Sequence, residues 1–253
     1  MTSTAPALLL AWWGTAWLRG LTSTDHLLEA MTAAAAVHSV HPAPESSPRW
    51  DEAEGASLVP LLAALRRQGA LSLGATFPAE GDPLGLAGPR ELNLDATDVG
   101  EALLCPDVGL AAVPHHVGAG MTWVLHPARP RPLPDLGEAD RGLRGVMLRS
   151  VETLERLDVA AWSPDLADEV LNATHHRPLP SSPGVPDPVR ALAGRALSAR
   201  TIAALALRDH GGAVSAHEVS ARHHVVTDLD RAGRVALSAA ASPWCWPPGQ
   251  PEA

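Results

Sequence analysis

The stretch Glu101–His126, EALLCPDVGLAAVPHHVGAGMTWVLH, holds three apolar runs of strand length in close succession, Glu101–Cys105, Leu110–Pro114 and Met121–His126. The last alternates in part, with Met121, Trp123 and Leu125 set against Thr122, Val124 and His126, as on a strand whose side chains point to opposite faces in turn. Upstream, Ala70–Phe77 has the length of a buried strand and Ala36–His41 is a shorter candidate. Between them Ser57 opens a helix, LVPLLAALRR. Its Pro60 falls in the first turn, where a missing N–H is tolerated. Arg66 and Arg67 suit the C-terminal end of its dipole, and Gly69 stops it. A strand–helix–strand passage followed by hairpin-like strands predicts a small mixed sheet with helices on one face, and fits α+β or α/β alike.

Two helices precede the sheet. In the apolar segment Ala7–Leu18, Leu10, Trp13 and Trp17 make one helical stripe, with Leu18 and Leu21 beside it. The segment spans about a dozen residues, short of the roughly 20 that cross a bilayer, and no positive charge precedes it. A buried first helix is therefore expected, and neither a signal peptide nor a membrane span. Ser23 caps a second helix carrying Leu27, Leu28 and Met31. The Pro-, Ser- and acid-rich His41–Gly55 reads as an exposed loop.

Past this region the grammar changes. Pro127, Pro130, Pro132 and Pro134 form a stiff linker, and everything beyond reads as helix. Asp135 with Glu138 is the Asp form of a capping box, followed by Leu136, Leu143, Val146, Met147, Val151, Leu154 and Leu157 at helical period. Ser163-Pro164-Asp165 starts a helix to about Thr174. Asp187-Pro188 starts an Ala-rich one, Val189–His210, placed centrally in a bundle because small side chains permit close approach. Ser215 and Glu218 cap the last, which runs to about Ala240. The expected organisation is a mixed α/β half over residues 1–133, a helical half over 134–242, and an irregular tail over 243–253 in which Trp244 and Trp246 flank Cys245.

The 28 acidic and 19 basic residues give a formal charge of −9, and every basic residue is Arg. Without Lys there is no Schiff-base chemistry, no pyridoxal-phosphate anchor and no P-loop lysine. Tyr is absent too, which removes phenol acids. No cationic stripe exists to neutralise phosphates, so no nucleic-acid partner is expected. Cys105 and Cys245 are too few for a disulfide framework and fit a reducing cytoplasm.

Twelve histidines are present, but the adjacent pairs His115-His116, His175-His176 and His223-His224 each diverge on either a helix or a strand. No H-E-x-x-H occurs, and no metal site or cofactor is expected. The loop Gly81-Asp-Pro-Leu-Gly-Leu-Ala-Gly-Pro89 follows a strand, where α/β sheets place ligand loops. Asp82, with Asn93 and Asp95 further on, is the candidate ligand-binding set, against a plain turn that uses Asp, Pro and Gly for their backbone angles. Asp140/Arg144, Glu138/Arg141, Asp228/Arg231 and Asp230/Arg234 read as helix-face salt bridges. No catalytic residue is assigned.

Ala16-Trp-Leu-Arg-Gly20, Ser57–Ala70, Gly81–Pro89, Gly137–Arg144 and Asp209–Glu218 together resemble a protein family of high-GC actinobacteria. No activity attaches to that family, so the resemblance implies one continuous protein and transfers no site residue. The leading expectation is a non-catalytic cytoplasmic binding or regulatory protein acting through another protein or through self-association. The alternative is a small-molecule, hydrolase-like enzyme using the Gly81–Pro89 loop and nearby carboxylates.

Overall fold

A computed structural model describes residues 5–44, 55–129, 131–156, 179, 182–208 and 216–247. Its elements are α1 (Pro6–Leu18), α2 (Thr24–Met31), β1 (Val37–Pro42), α3 (Leu58–Arg67), β2 (Gly74–Thr76), α4 (Arg90–Val99), β3 (Ala102–Cys105), β4 (Leu110–Val117), β5 (Gly120–Pro127), α5 (Leu136–Arg156), α6 (Asp187–Arg208) and α7 (Ala216–Ala241). The five strands form one sheet in the order β1-β5-β4-β3-β2. The pairs β2–β3, β3–β4 and β4–β5 are antiparallel and only β1–β5 is parallel. An antiparallel meander with one added parallel edge is a mixed α+β sheet, which resolves the alternative left by the sequence. The expected helix from Ser163, the pair His175-His176 and the cap residue Ser215 lie outside the described residues.

The chain divides into two compact units. One holds residues 1–133 with 180–186 and 241–245, and the other holds 134–179, 187–240 and 246–253. In the first, strand alternation sorts the sheet into two faces. Ala102, Leu104, Ala111 and Val113 pack with Leu86, Leu92 and Ala96 under α4. On the other face Val40, Leu103, Leu110, Ala112, Met121, Trp123 and Leu125 are all buried, and α1 and α3 pack against the strands there.

Three of the expected elements differ from the sequence reading. Helix α1 has no single stripe. Its buried residues, Pro6–Trp12 and Gly14–Ala16, cover every side of the helix, and Trp12 is deeper than Trp13 or Trp17. Trp17 instead lies half-exposed, donating from Nε1 to Thr24 Oγ1 at 3.0 Å, with the Arg66 guanidinium 3.8 Å above its ring. The Ala70–Phe77 strand shortens to Gly74–Thr76. Within the tail 243–253, Pro243–Cys245 forms a 3-10 turn. It belongs to the first unit, where it lies against edge strand β2. Ser242 Oγ reaches Ala75 O at 3.4 Å, and a Cβ added to Gly74 would stand 2.3 Å from Trp244 Cη2.

In the second unit α6 buries Ala193, Ala196, Ala199 and Ala203. A Cβ at Gly233 of α7 would lie 3.2 Å from Ala196 O, the close approach that small residues permit. The capping bond at Asp135 forms, Glu138 N–H donating to Oδ1 at 2.8 Å. Leu136 and Leu143 are buried on α5, whereas Met147 is exposed. Asp140 accepts from Arg144 and from Arg195 of α6, both at 2.6 Å. Burial alone raises its carboxyl, but the two guanidinium groups hold it below the ordinary value. Asp230 accepts from Arg234 at 2.8 Å.

His38 joins β1 to α2 and to the buried Trp123. Trp123 Nε1, which can only donate, gives its proton to His38 Nδ1 at 3.1 Å, and His38 Nε2 faces Met31 O at 3.1 Å. This fixes the neutral Nε2–H tautomer. Burial lowers the His38 pKa below its ordinary 6.5, with backbone hydrogen bonds to Met31 and Ala35 opposing. The unfolded chain binds this proton more readily, so stability is intact above pH 6.5 and falls as pH drops from there toward the folded-state pKa. In urea unfolding, His38→Gln should flatten the stability slope between about pH 7 and pH 5 relative to wild type; equal slopes would refute this. A second expectation concerns the tail. Gly74→Ala should cost about 1–3 kcal/mol by overpacking, and less than half of that in a Trp244→Ala background, measured as a double-mutant cycle.

Candidate functional site

Helix α4 was not foreseen, because its buried stripe is only Leu92 and Ala96 and no side chain caps its start at Pro89. Gly100 ends it in the left-handed conformation at φ 85°. The helix places Asp95 over the sheet. Asp95 Oδ1 lies 2.9 Å from His115 Nε2 on β4, and Oδ2 lies 2.8 Å from His126 Nε2 on β5. The β4–β5 register sets His126 opposite Ala111 and His115 opposite Thr122, so both imidazoles stand on the α4 face. His126 is buried, with 4% of its surface exposed, while His115 keeps about a third of its side chain in solvent. A carboxylate oxygen accepts, so each ring donates from Nε2–H and its Nδ1 is turned elsewhere.

The α4 face opens beyond this cluster, toward β1. Three cross-strand rows follow from the register. Val37, Gly120 and Val117 form the outermost, then Ser39, Thr122 and His115, then His41, Val124 and Val113. Ser39 Oγ and Thr122 Oγ1 share a hydrogen bond at 3.0 Å. Val37 and Val117 are 67% and 62% exposed, and nothing but Gly120 stands between them; a Cβ there would sit 3.9 Å from Val37 Cβ. Ser39, His41, Thr122 and Val124 are half-buried.

The three residues proposed from sequence are not brought together as a set. Asp82 lies on a tight turn after β2, where its N–H and C=O bond those of Ala79 at 2.9 and 3.0 Å. The rest of that loop is knitted into the unit. Leu86 is buried under α4, Thr76 Oγ1 donates to Leu84 O, and Gly85 O accepts from Arg131 N–H at 2.7 Å. Asn93 and Asp95 both ride α4, two residues and hence about 200° apart. Asn93 Oδ1 is buried with no hydrogen-bond partner among the described residues. Asp95 joins a polar cluster over the sheet, and its partners His115 and His126 are the residues sequence reasoning passed over. The available signal was positional: counting back from the Gly118–Ala119 turn puts both on one face.

Among the described residues no group of three His, Cys, Asp or Glu is arranged to hold a metal ion, and no helix is long and apolar enough to cross a membrane. Cys105 is buried, its pKa raised to about 12 by desolvation and then by the Asp107 charge. Such a thiol is inert as a nucleophile.

Two family models match in tandem, the N-terminal domain of the Rv1486c-like proteins over residues 7–136 and their C-terminal domain over residues 137–238. The chain belongs to this family. Comparison with curated proteins and with solved structures gave no match.

Replacing Asp95 by Ala would leave the buried His126 Nε2–H without this acceptor. A loss of about 1–3 kcal/mol is expected, read as a lower urea midpoint, with Asp82→Ala within about 0.5 kcal/mol of wild type. Equal losses would show that the cluster does not tie α4 to the sheet.

Proposed function

We propose that the protein is a cytoplasmic binding or regulatory protein that works through contact with another protein, made by the open part of the α4 face. The observation that carries this reading is the row Val37–Gly120–Val117, in which two largely exposed valines flank a residue without a side chain. An apolar strip bordered by the half-buried Ser39, His41 and Thr122 has the make-up of an interface, an apolar centre with a polar margin. The net charge of −9 and the lack of Lys argue against nucleic acid as the partner. The same Arg-only composition supports an origin of this family in high-GC actinobacteria.

Native mass spectrometry of the full chain gently purified from its natural host tests the reading. Wild type should carry a stoichiometric protein partner or a second copy, and Val37→Asp/Val117→Asp should lose it while keeping the urea midpoint. A partner retained by the double variant would sink the surface assigned here. A bare monomer across the concentration range would sink the reading itself.

A further inference from the structure

Val37, which begins the valine row, is followed on β1 by His38, whose hydrogen bonds depend on its charge. Alternation sends Val37, Ser39 and His41 to the α4 face, and His38 and Val40 to the face that holds Trp123. His38 Nδ1 accepts from Trp123 Nε1–H at 3.1 Å, and His38 Nε2 lies 3.1 Å from Met31 O at the end of α2. Trp123 is fully buried, and an indole N–H can only donate. A second proton on the ring, at Nδ1, therefore sets N–H against N–H. The bond to Trp123 is lost and a buried donor loses this acceptor, whereas Nε2–H still donates to Met31 O. Protonation breaks the link to β5 and keeps the link to α2.

The two ends of β1 are not equally held. Val40 is fully buried; its N–H donates to Ala56 O and its C=O accepts from Gly55 N–H, both at 2.9 Å, and Ala43 N–H donates to Leu125 O at 2.8 Å. At the other end Val37 is largely exposed, and the connection from α2, Thr32–Ala36, ends in four alanines. We infer that His38 is a proton-operated latch: its neutral ring fastens the start of β1 to Trp123, and its charged ring releases that start, so that Val37 leaves the valine row in mild acid while the sheet from Val40 onward stays formed. Burial disfavours the charged ring and the Met31 and Ala35 backbone favours it, with burial the larger effect, so the latch opens on the acid side of pH 6.5. On the elements around β1, Arg19 of α1, Asp25, His26 and Glu29 of α2, and Arg66 and Arg67 of α3 are exposed, Arg66 lying over Trp17. His126 of β5 is on the α4 face with Asp95, as is His41 of β1. The groups that bear on His38 are the uncharged Met31, Ala35 and Trp123. The consequence for a partner rests on the reading of the valine row proposed above; the latch itself does not.

The test is amide hydrogen exchange of the full chain, followed by NMR at about pH 7.5 and about pH 5 and corrected for the chemical exchange rate. The alternation that points Ala43 N–H at Leu125 O points Ser39 N–H at β5 as well, so Ser39 reports the released half and Ala43 is its control. In acid, exchange at Ser39 should rise at least about tenfold more than at Ala43 or in the β4–β5 pairs. His38→Gln, whose carbonyl accepts from Trp123 and takes no proton, should show no such local rise, and Trp123→Phe, which removes the opposing N–H, a smaller one. No local rise in wild type, a rise shared equally by Ala43 and the β4–β5 pairs, or the full rise in either variant would overturn the latch. In native mass spectra at the same two pH values, wild type should shed its partner in acid and His38→Gln should keep it. A partner kept by wild type in acid would separate the latch from the valine row. No partner at either pH counts against the docking reading, and the exchange data then judge the latch alone.

Discussion

The register between β4 and β5 is the constraint on which the first unit depends. Eight residue pairs, from Leu110–Pro127 at one end to Val117–Gly120 at the other, are set by a two-residue turn whose first position, Gly118, has φ 60°. A side chain rarely adopts that angle, so Gly secures the turn. A slip by one residue would send every side chain of β5 to the other face. Trp123, Leu125 and Met121 would leave the α1–α3 layer, and His126 would leave Asp95. Core packing, the placing of α4 and the polar row are therefore one choice made at one turn.

Most of the sheet was legible because its strands are apolar runs punctuated by turn residues. The three runs of Glu101–His126 became β3, β4 and β5, and Ser23 forms the expected bond to His26 N–H at the start of α2. What pattern reading could not see was depth. Periodicity finds a helix by the contrast between its faces, and α1 has none, so its position in the middle of the unit was misread as a tryptophan stripe. Helix α4 failed for the opposite reason. Arg90–Val99 fully buries only Leu92 and Ala96, with Val99 partly buried beside them, too thin a stripe to stand out from the Gly- and Pro-rich loop before it.

Of the cluster Asp95, His115 and His126, the sequence reading singled out only Asp95. Asp95 was picked for its nearness to a loop, whereas what matters is the face of α4 on which it lies. His115 was set aside because neighbours on a strand diverge. That argument rightly separates it from His116, but it says nothing about a partner on another element. Local spacing rules detect ligand sets built within one helix or loop. Here α4, β4 and β5 each supply one group, so the grouping is a property of register.

The return of the chain at Ser242–Cys245 bears on how far the family's two matched segments are interchangeable modules. The N-terminal match ends at residue 136 and the C-terminal one at 238, yet the turn that lies on Gly74 of β2 comes after both. A strand at the end of a sheet offers unpaired backbone to any passing strand, and here the turn Pro243–Cys245 stands against it. Cutting the gene at the boundary between the matches would yield an N-terminal fragment lacking its own edge cover. Shuffling either half into another protein would break a bond between beginning and end, a reason for the two halves to be inherited as a pair.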